Sequence, residues 1–299
     1  MKPIVIRHRH EIVACLAMLL ILSGSVAALA EEATDRSFLW RVRSDTATVW
    51  LLGSIHFMKA DASPLSPAVE QAFTSSSVVV FEADLGELQQ AAVGMIAAGG
   101  FEGGTTLEEV VPAPLYRKVV GRLEELGMGA ATVGSMRPWM AALTLTSLEL
   151  SRAGYLGDHG IDATLYERAG RAGKECRGLE TAEVQVSLFA SLSDEEGLDF
   201  LRYTLEELDS VIPMVDEIVA AWRAGETERL EALLAEGFDE HPELYRRFVT
   251  DRNRRWLPEI EALLRDGGGA LVVVGSLHLV GPEGLVALLE AEGYEVTQL

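Results

Sequence analysis

Two histidines stand behind the same short pattern near opposite ends of the chain. His56 lies in "LLGSIHFM" and His278 in "VVGSLHLV", each after an apolar-apolar-Gly-Ser-aliphatic run. With 28 glycines and six histidines, one G-x-x-H match is expected roughly 0.6 times by chance. Composition does not explain two that also share the serine, the aliphatic residue and the apolar flanks. A third pointed residue, Glu82, follows the run "SVVVF". Two imidazoles and a carboxylate are the ligand types of a catalytic divalent-metal site with one position open to water. Such an ion lowers the pKa of bound water towards neutrality and polarises a carbonyl. The plainer reading of each histidine is a cap or hydrogen bond at a strand end.

For these three to meet, three strands must deliver them. The runs 47–52, 77–81 and 271–274 end just before His56, Glu82 and His278, and open α/β sheets bind ligands outside the carboxyl ends of their strands. Gly53 and Gly275, lacking Cβ, would let the chain turn sharply off each strand and carry the histidine over its end. "SFLWRVR" (37–43) and "ATVWLLGSIH" (47–56) flank a short polar connection, which predicts an antiparallel hairpin. "PLSPAVEQAFTSS" predicts a helix with Ser66 as N-cap and Pro67 at its first position, followed by a buried strand over 77–85. Residues 160–180 predict a helix, a turn at Gly173 and a short strand ending at Glu180. "GGGALVVVGSLH" predicts a buried strand, then a helix closed by Gly293 and a last strand, "YEVTQL". Helical patterns fill about 87–155 and 181–267, so the reading is α/β: a mixed (α+β) sheet of β-α units with a large helical insertion, forming one domain over 31–299.

Several other residues have two readings. Arg252, in "DRNRRWLPEI", belongs to a solvated basic helix face or offers a planar fork to an oxyanion or a substrate carboxylate. Asp162, after Gly160 at a helix start, caps that helix or joins the site. Glu180 is a fourth sheet-end carboxylate or a helix-entry residue, and Gln185 is placed to orient it. His159 and His241 sit in loop-like or helix-start contexts, with a metal role open to either. Ser54 and Ser276 lack a G-x-S-x-G elbow and are expected to hydrogen-bond the turn. Trp40, Trp50, Trp139, Trp222 and Trp256 are expected in the core or as groove wall.

Composition narrows the partners. The 299 residues are 48% hydrophobic and carry a net charge of −21. Basic residues are interleaved with acidic ones, which argues against nucleic acid and anionic membrane. Lys2, Arg7 and Arg9 precede an apolar run ending Ala28-Leu29-Ala30, the pattern of a secretory signal peptide over 1–30. The expected location is therefore periplasmic or secreted after cleavage, with an uncleaved N-terminal anchor as the alternative. Membrane contact is expected through this segment alone. Cys15 falls inside it, leaving Cys176 alone in the mature chain with no intramolecular disulfide.

The chain also resembles the TraB/GumN family, which includes the TIKI metalloproteases. "LLGSIHFM" is similar to its first G-x-x-H element, "VVVFEADL" to its strand with a glutamate, and "VVVGSLHLVGPEGLVALLEAEGYEV" to its C-terminal signature. Between them, "HGIDATLYERAGRAGKECRGLETAEVQVSLF" resembles its G-x-D helix and "LET…Q" segment, and "DRNRRWLPEI" its arginine-asparagine element. The likeness spans roughly residues 38–299, in the family's motif order. It implies an EreA/ChaN-like/TIKI-like core and a site assigned to His56, His278, Glu82 and, through the "RN" match with Asn253, Arg252. It implies metal-dependent peptidase chemistry, with manganese, cobalt or zinc as the candidate ion. The resulting expectation is an exported metal-dependent hydrolase acting on a peptide or protein substrate, with Glu82, Arg252 and Glu180 as catalytic groups and His56, His278 and Glu82 as ligands. The alternative is a non-catalytic protein that binds a peptide or haem in the same cleft.

Overall fold

The β-branched and apolar runs form β1 (Leu39–Arg43), β2 (Thr48–Ser54), β3 (Val78–Phe81), β4 (Glu175–Gly178), β5 (Gly269–Gly275) and β6 (Glu295–Gln298). They make one six-stranded sheet in the order β4-β3-β5-β2-β1-β6. The four strands β4, β3, β5 and β2 run parallel, and β1 pairs antiparallel with both β2 and β6. This computed structural model describes residues 36–60, 65–235, 238 and 242–299. The expected signal segment, Cys15 and His241 lie outside the described residues.

The predicted hairpin is β1–β2, with Leu39 opposite Leu52 and Arg43 opposite Thr48. β5 is central, and its Leu271–Val274 are at most 1% exposed. A strand covered on both faces needs no alternation, so it reads as a continuous apolar run. β4 closes one edge with Glu175 and Arg177, which are exposed and paired with each other; charges on an edge strand discourage pairing with another chain.

The helices are α1 (Pro67–Ser75), α2 (Leu85–Ala98), α3 (Leu107–Val110), α4 (Ala113–Glu125), α5 (Pro138–Arg152), α6 (Ile161–Arg171), α7 (Ala182–Ala190), α8 (Asp194–Glu207), α9 (Val211–Arg223), α10 (Thr227–Ala235), α11 (Pro242–Tyr245), α12 (Asp251–Asp266) and α13 (Leu285–Ala291). Ser66 caps α1 as expected, its Oγ accepting from the Val69 N–H. Gly173 and Gly293 stand where helices α6 and α13 turn back towards strands, at φ 66° and 91°, a conformation that strains residues with a Cβ. β3 is shorter than the predicted run to 85. Asp84 accepts from the Gly86 N–H and caps α2 instead, a local alternative that Asp offers more readily than strand pairing.

Two apolar clusters fill the molecule. One joins the sheet to α1, α6, α12 and α13; the other lies among α3, α4, α5, α8 and α9. Each fully buried Leu, Val or Phe contributes about 1.5–3 kcal/mol. Phe57, Phe189, Met214, Val219 and Leu244 pack against both clusters, so the helical layer is seated on the carboxyl ends of the strands. Among the described residues, no helix is long and apolar enough to cross a membrane.

Candidate functional site

β2, β5 and β3 end side by side, and the residues just past those ends converge. A Cβ placed on Gly275 would stand 3.1 Å from Glu82 Oε1, 3.7 Å from His278 Cδ2 and 3.9 Å from His56 Nε2. The glycines serve this approach differently from the expected sharp turn. Gly53 lies inside extended β2, where a Cβ would meet the Phe38 ring at 2.3 Å and Ser276 Oγ at 2.8 Å. Gly275 has φ −53° and ψ 139°, open to any residue. Both positions require room rather than backbone freedom.

His278 ends a short 3-10 turn (Ser276–His278) after β5 and is buried. Asn253 Nδ2 donates to the carbonyls of His278 (3.1 Å) and Glu283 (2.8 Å), which turns its Oδ1 towards His278 Nδ1 at 2.7 Å. That bond assigns the imidazole proton to Nδ1 and leaves the Nε2 lone pair facing Arg252 Nη1 at 3.0 Å. Burial, and then the Arg252 cation, push the His278 pKa down to about 3. The ring is therefore neutral at any working pH.

Arg252 lies in the first turn of α12, after a π-helical turn (Arg246–Thr250) that joins α11 to α12. Such wide turns recur at functional sites. All five guanidinium N–H groups are spent. Nε donates to Glu180 at 3.0 Å, Nη1 to the Phe248 carbonyl (3.2 Å) and His278, and Nη2 to Glu82 (2.5 Å) and Glu180 (2.6 Å). Trp256 lies beneath it, 4.5 Å from guanidinium to ring centroid, and donates through Nε1 to Glu180. Arg252 is thus no part of a solvated face, and none of its donors is left over for a substrate carboxylate.

Glu82 accepts from the Gly275 N–H at 2.7 Å and from Arg252. Burial alone would raise its pKa, but Arg252, the His56 cation and the Gly275 N–H hold the carboxyl far below the usual range. Gln185, expected beside Glu180, instead donates to Glu82 at 3.3 Å.

His56 stands at the open side, its side chain 40% exposed, with Nδ1 2.9 Å from Asp162 Oδ2. Gly160 makes this pairing happen. A Cβ there would lie 2.2 Å from the His56 carbonyl oxygen, and the Ile161 N–H donates to the Ile55 carbonyl, so the start of α6 docks on the β2 exit. Gly160, not Asp162, takes the N-cap position. Desolvation opposes the charged imidazole, but Asp162 and then Glu82 outweigh it and raise the His56 pKa to about 9. The stabilisation from this pair is complete below the ordinary 6.5 and lost as pH rises through about 9. Asp162→Asn is expected to drop the His56 pKa well below 9, read by NMR titration of the imidazole; an unchanged value would mean that Asp162 is not the cause.

His56, Glu82, Asp162, Gln185, Arg252 and His278 line a cavity of about 390 Å³ whose walls include Phe57, Met95, Leu143, Leu188 and Phe189, whereas Glu180 and Asn253 do not border it. His159 does not line it. The donor types suit a divalent cation, and in this arrangement the Arg252 guanidinium already sits on the His278 lone pair and one Glu82 oxygen. Among the described residues, no three His, Cys, Asp or Glu side chains form a metal-holding group. The cation these residues share is the guanidinium. Sequence reasoning missed the π-helical turn and the spacing role of Gly160; only the short Gly-x-Asp signal pointed to the latter.

The protein YbaP of Escherichia coli (strain K12) is 24% identical over 239 residues, covering 80% of this chain and 86% of that protein. YbaP of Shigella flexneri matches to the same extent. No solved structure matches. The pattern of the TraB/PrgY/gumN family, with both G-x-x-H elements inside it, matches residues 38–298, and the chain belongs to that family.

Proposed function

We propose that this chain is an exported hydrolase of amide bonds in peptides, working in the cavity between the strand ends and the helical layer. The observation that carries the reading is the meeting of His56, Glu82 and His278 around Gly275, in a pocket with apolar walls. Such a site, with a few convergent polar groups and perturbed pKa values, is where chemistry is expected. His56, oriented by Asp162, presents Nε2 to the cavity as a proton donor. Glu82 beside it accepts a hydrogen bond from the attacking water. Water adds to the carbonyl carbon as one of its protons passes to Glu82, the C–N bond breaks, the leaving nitrogen takes a proton from His56, and the Glu82 proton then returns His56 to its cationic form. Arg252, with Glu180, Trp256 and His278, fixes Glu82 rather than touching substrate.

A second reading places manganese, cobalt or zinc among His56, Glu82 and His278, where the ion would polarise a carbonyl. Its support is the same convergence, and it requires Arg252 to release two donors.

A quenched peptide library incubated with the chain, before and after chelation and metal reloading, tests both. Cleavage is expected and should be lost in Glu82→Gln. No cleavage under any metal condition would overturn the hydrolase. Cleavage that survives chelation and shows no bound metal would remove the metal.

A further inference from the structure

Of the two serines in the repeated Gly-Ser-x-His element, only one is satisfied. Ser276 Oγ donates to the Ser54 carbonyl at 3.0 Å. Among the described residues Ser54 Oγ has no hydrogen-bond partner, although the residue is 1% exposed. Natural proteins rarely leave a buried hydroxyl unpaired, and where they do a ligand or water commonly completes it. Its direction is set by the sheet. β2 and β5 are parallel with Ser54 directly opposite Gly275, and residues paired this way project to the same face. The Gly275 Cβ direction points at Glu82, His278 and His56. Ser54 therefore faces that cluster, and it borders the cavity.

We propose that Ser54 Oγ is the donor that holds a ligand carbonyl oxygen in this cavity, the ligand being a neutral peptide or amide segment with an apolar side chain. The ligand chemistry follows from what surrounds the hydroxyl. Arg252 has no donor left for a carboxylate, and Met95, Leu143 and Phe189 offer an apolar wall. The proposal deepens the hydrolase reading by naming the group that orients the scissile carbonyl, but the binding step stands whether or not cleavage follows.

The test uses the purified chain, Ser54→Ala and Ser276→Ala, with N-acetyl-leucinamide, N-acetyl-methioninamide and N-acetyl-phenylalaninamide titrated by NMR, alongside the quenched library. Ser54→Ala should unfold at the same or a higher temperature than the wild type, because it deletes an unpaired group. It should weaken amide binding and cleavage by about tenfold or more. Ser276→Ala loses a made hydrogen bond and should melt on the order of 3 °C lower, with binding unchanged. A lower melting temperature for Ser54→Ala with unchanged binding would overturn the proposal, as would a wild type that binds none of the amides. Amide binding without cleavage, lost in Ser54→Ala, supports Ser54 and removes the hydrolase. Cleavage lost in Glu82→Gln but retained in Ser54→Ala does the reverse.

Discussion

Arg252→Ala is expected to cost about 3–5 kcal/mol of folding stability, the typical price of breaking a buried ion pair from one side. Glu82 and Glu180 are 11% and 6% exposed at their side chains, and the variant would remove the guanidinium that both carboxylates share. Arg252→Lys keeps the charge, but one ammonium cannot serve Glu82, Glu180, the Phe248 carbonyl and His278 together, so an intermediate loss is expected. pH separates this from simple loss of packing. Glu82 is held far below its ordinary 4.5, so its contribution to the wild type is present above that value and lost only as pH falls through the lower folded one. In the variant Glu82, deprived of the guanidinium, can protonate. The gap between the two proteins should therefore narrow below about pH 4.5. Urea unfolding at pH 7 and pH 4 measures both effects. A loss of under about 1 kcal/mol at pH 7 would place the arginine on a solvated face after all.

How much of this was legible beforehand depends on whether the cause is local. The parallel strand ends could be read because β2, β3 and β5 are marked by β-branched runs that stop where pointed residues begin. The hairpin, the Ser66 cap and the Gly173 and Gly293 turns follow from side-chain chemistry within a few residues. Arg252 was harder. Its neighbours Arg254 and Arg255 are exposed, so the triplet reads as a surface face, and only packing of α12 against the sheet buries the first arginine. Asp162 was ambiguous because an acidic residue at a helix start has a sufficient local reason to be there; its reach to His56 depends on Gly160 touching a backbone 104 positions earlier. The donor accounting around Arg252 has no sequence signature, since it rests in part on the carbonyl of Phe248 within the π-helical turn.

The two echoing histidines should also part company when each is replaced. His56→Ala is expected to lower turnover of any peptide the wild type cleaves by about 10²–10⁴-fold, the usual contribution of a positioned acid or base. Its melting temperature should stay near that of the wild type, because the ring is 40% exposed and its pair with Asp162 is screened by solvent. Since His56 Nε2 borders an open cavity, added imidazole should restore part of the lost rate. His278→Ala should behave otherwise. That ring is buried between Asn253, Arg252 and Trp256, so its removal leaves an Arg252 donor and Asn253 Oδ1 unpaired and should lower stability, with no rescue by imidazole. Equal stability losses in the two variants would mean that both histidines are structural, whereas full activity in His56→Ala would take the proton-transfer role away from it. The contrast follows from the second bond each ring makes. Asp162 turns His56 towards the open cavity as a cation, and Asn253 turns His278 inward as a neutral acceptor that holds the guanidinium on Glu82.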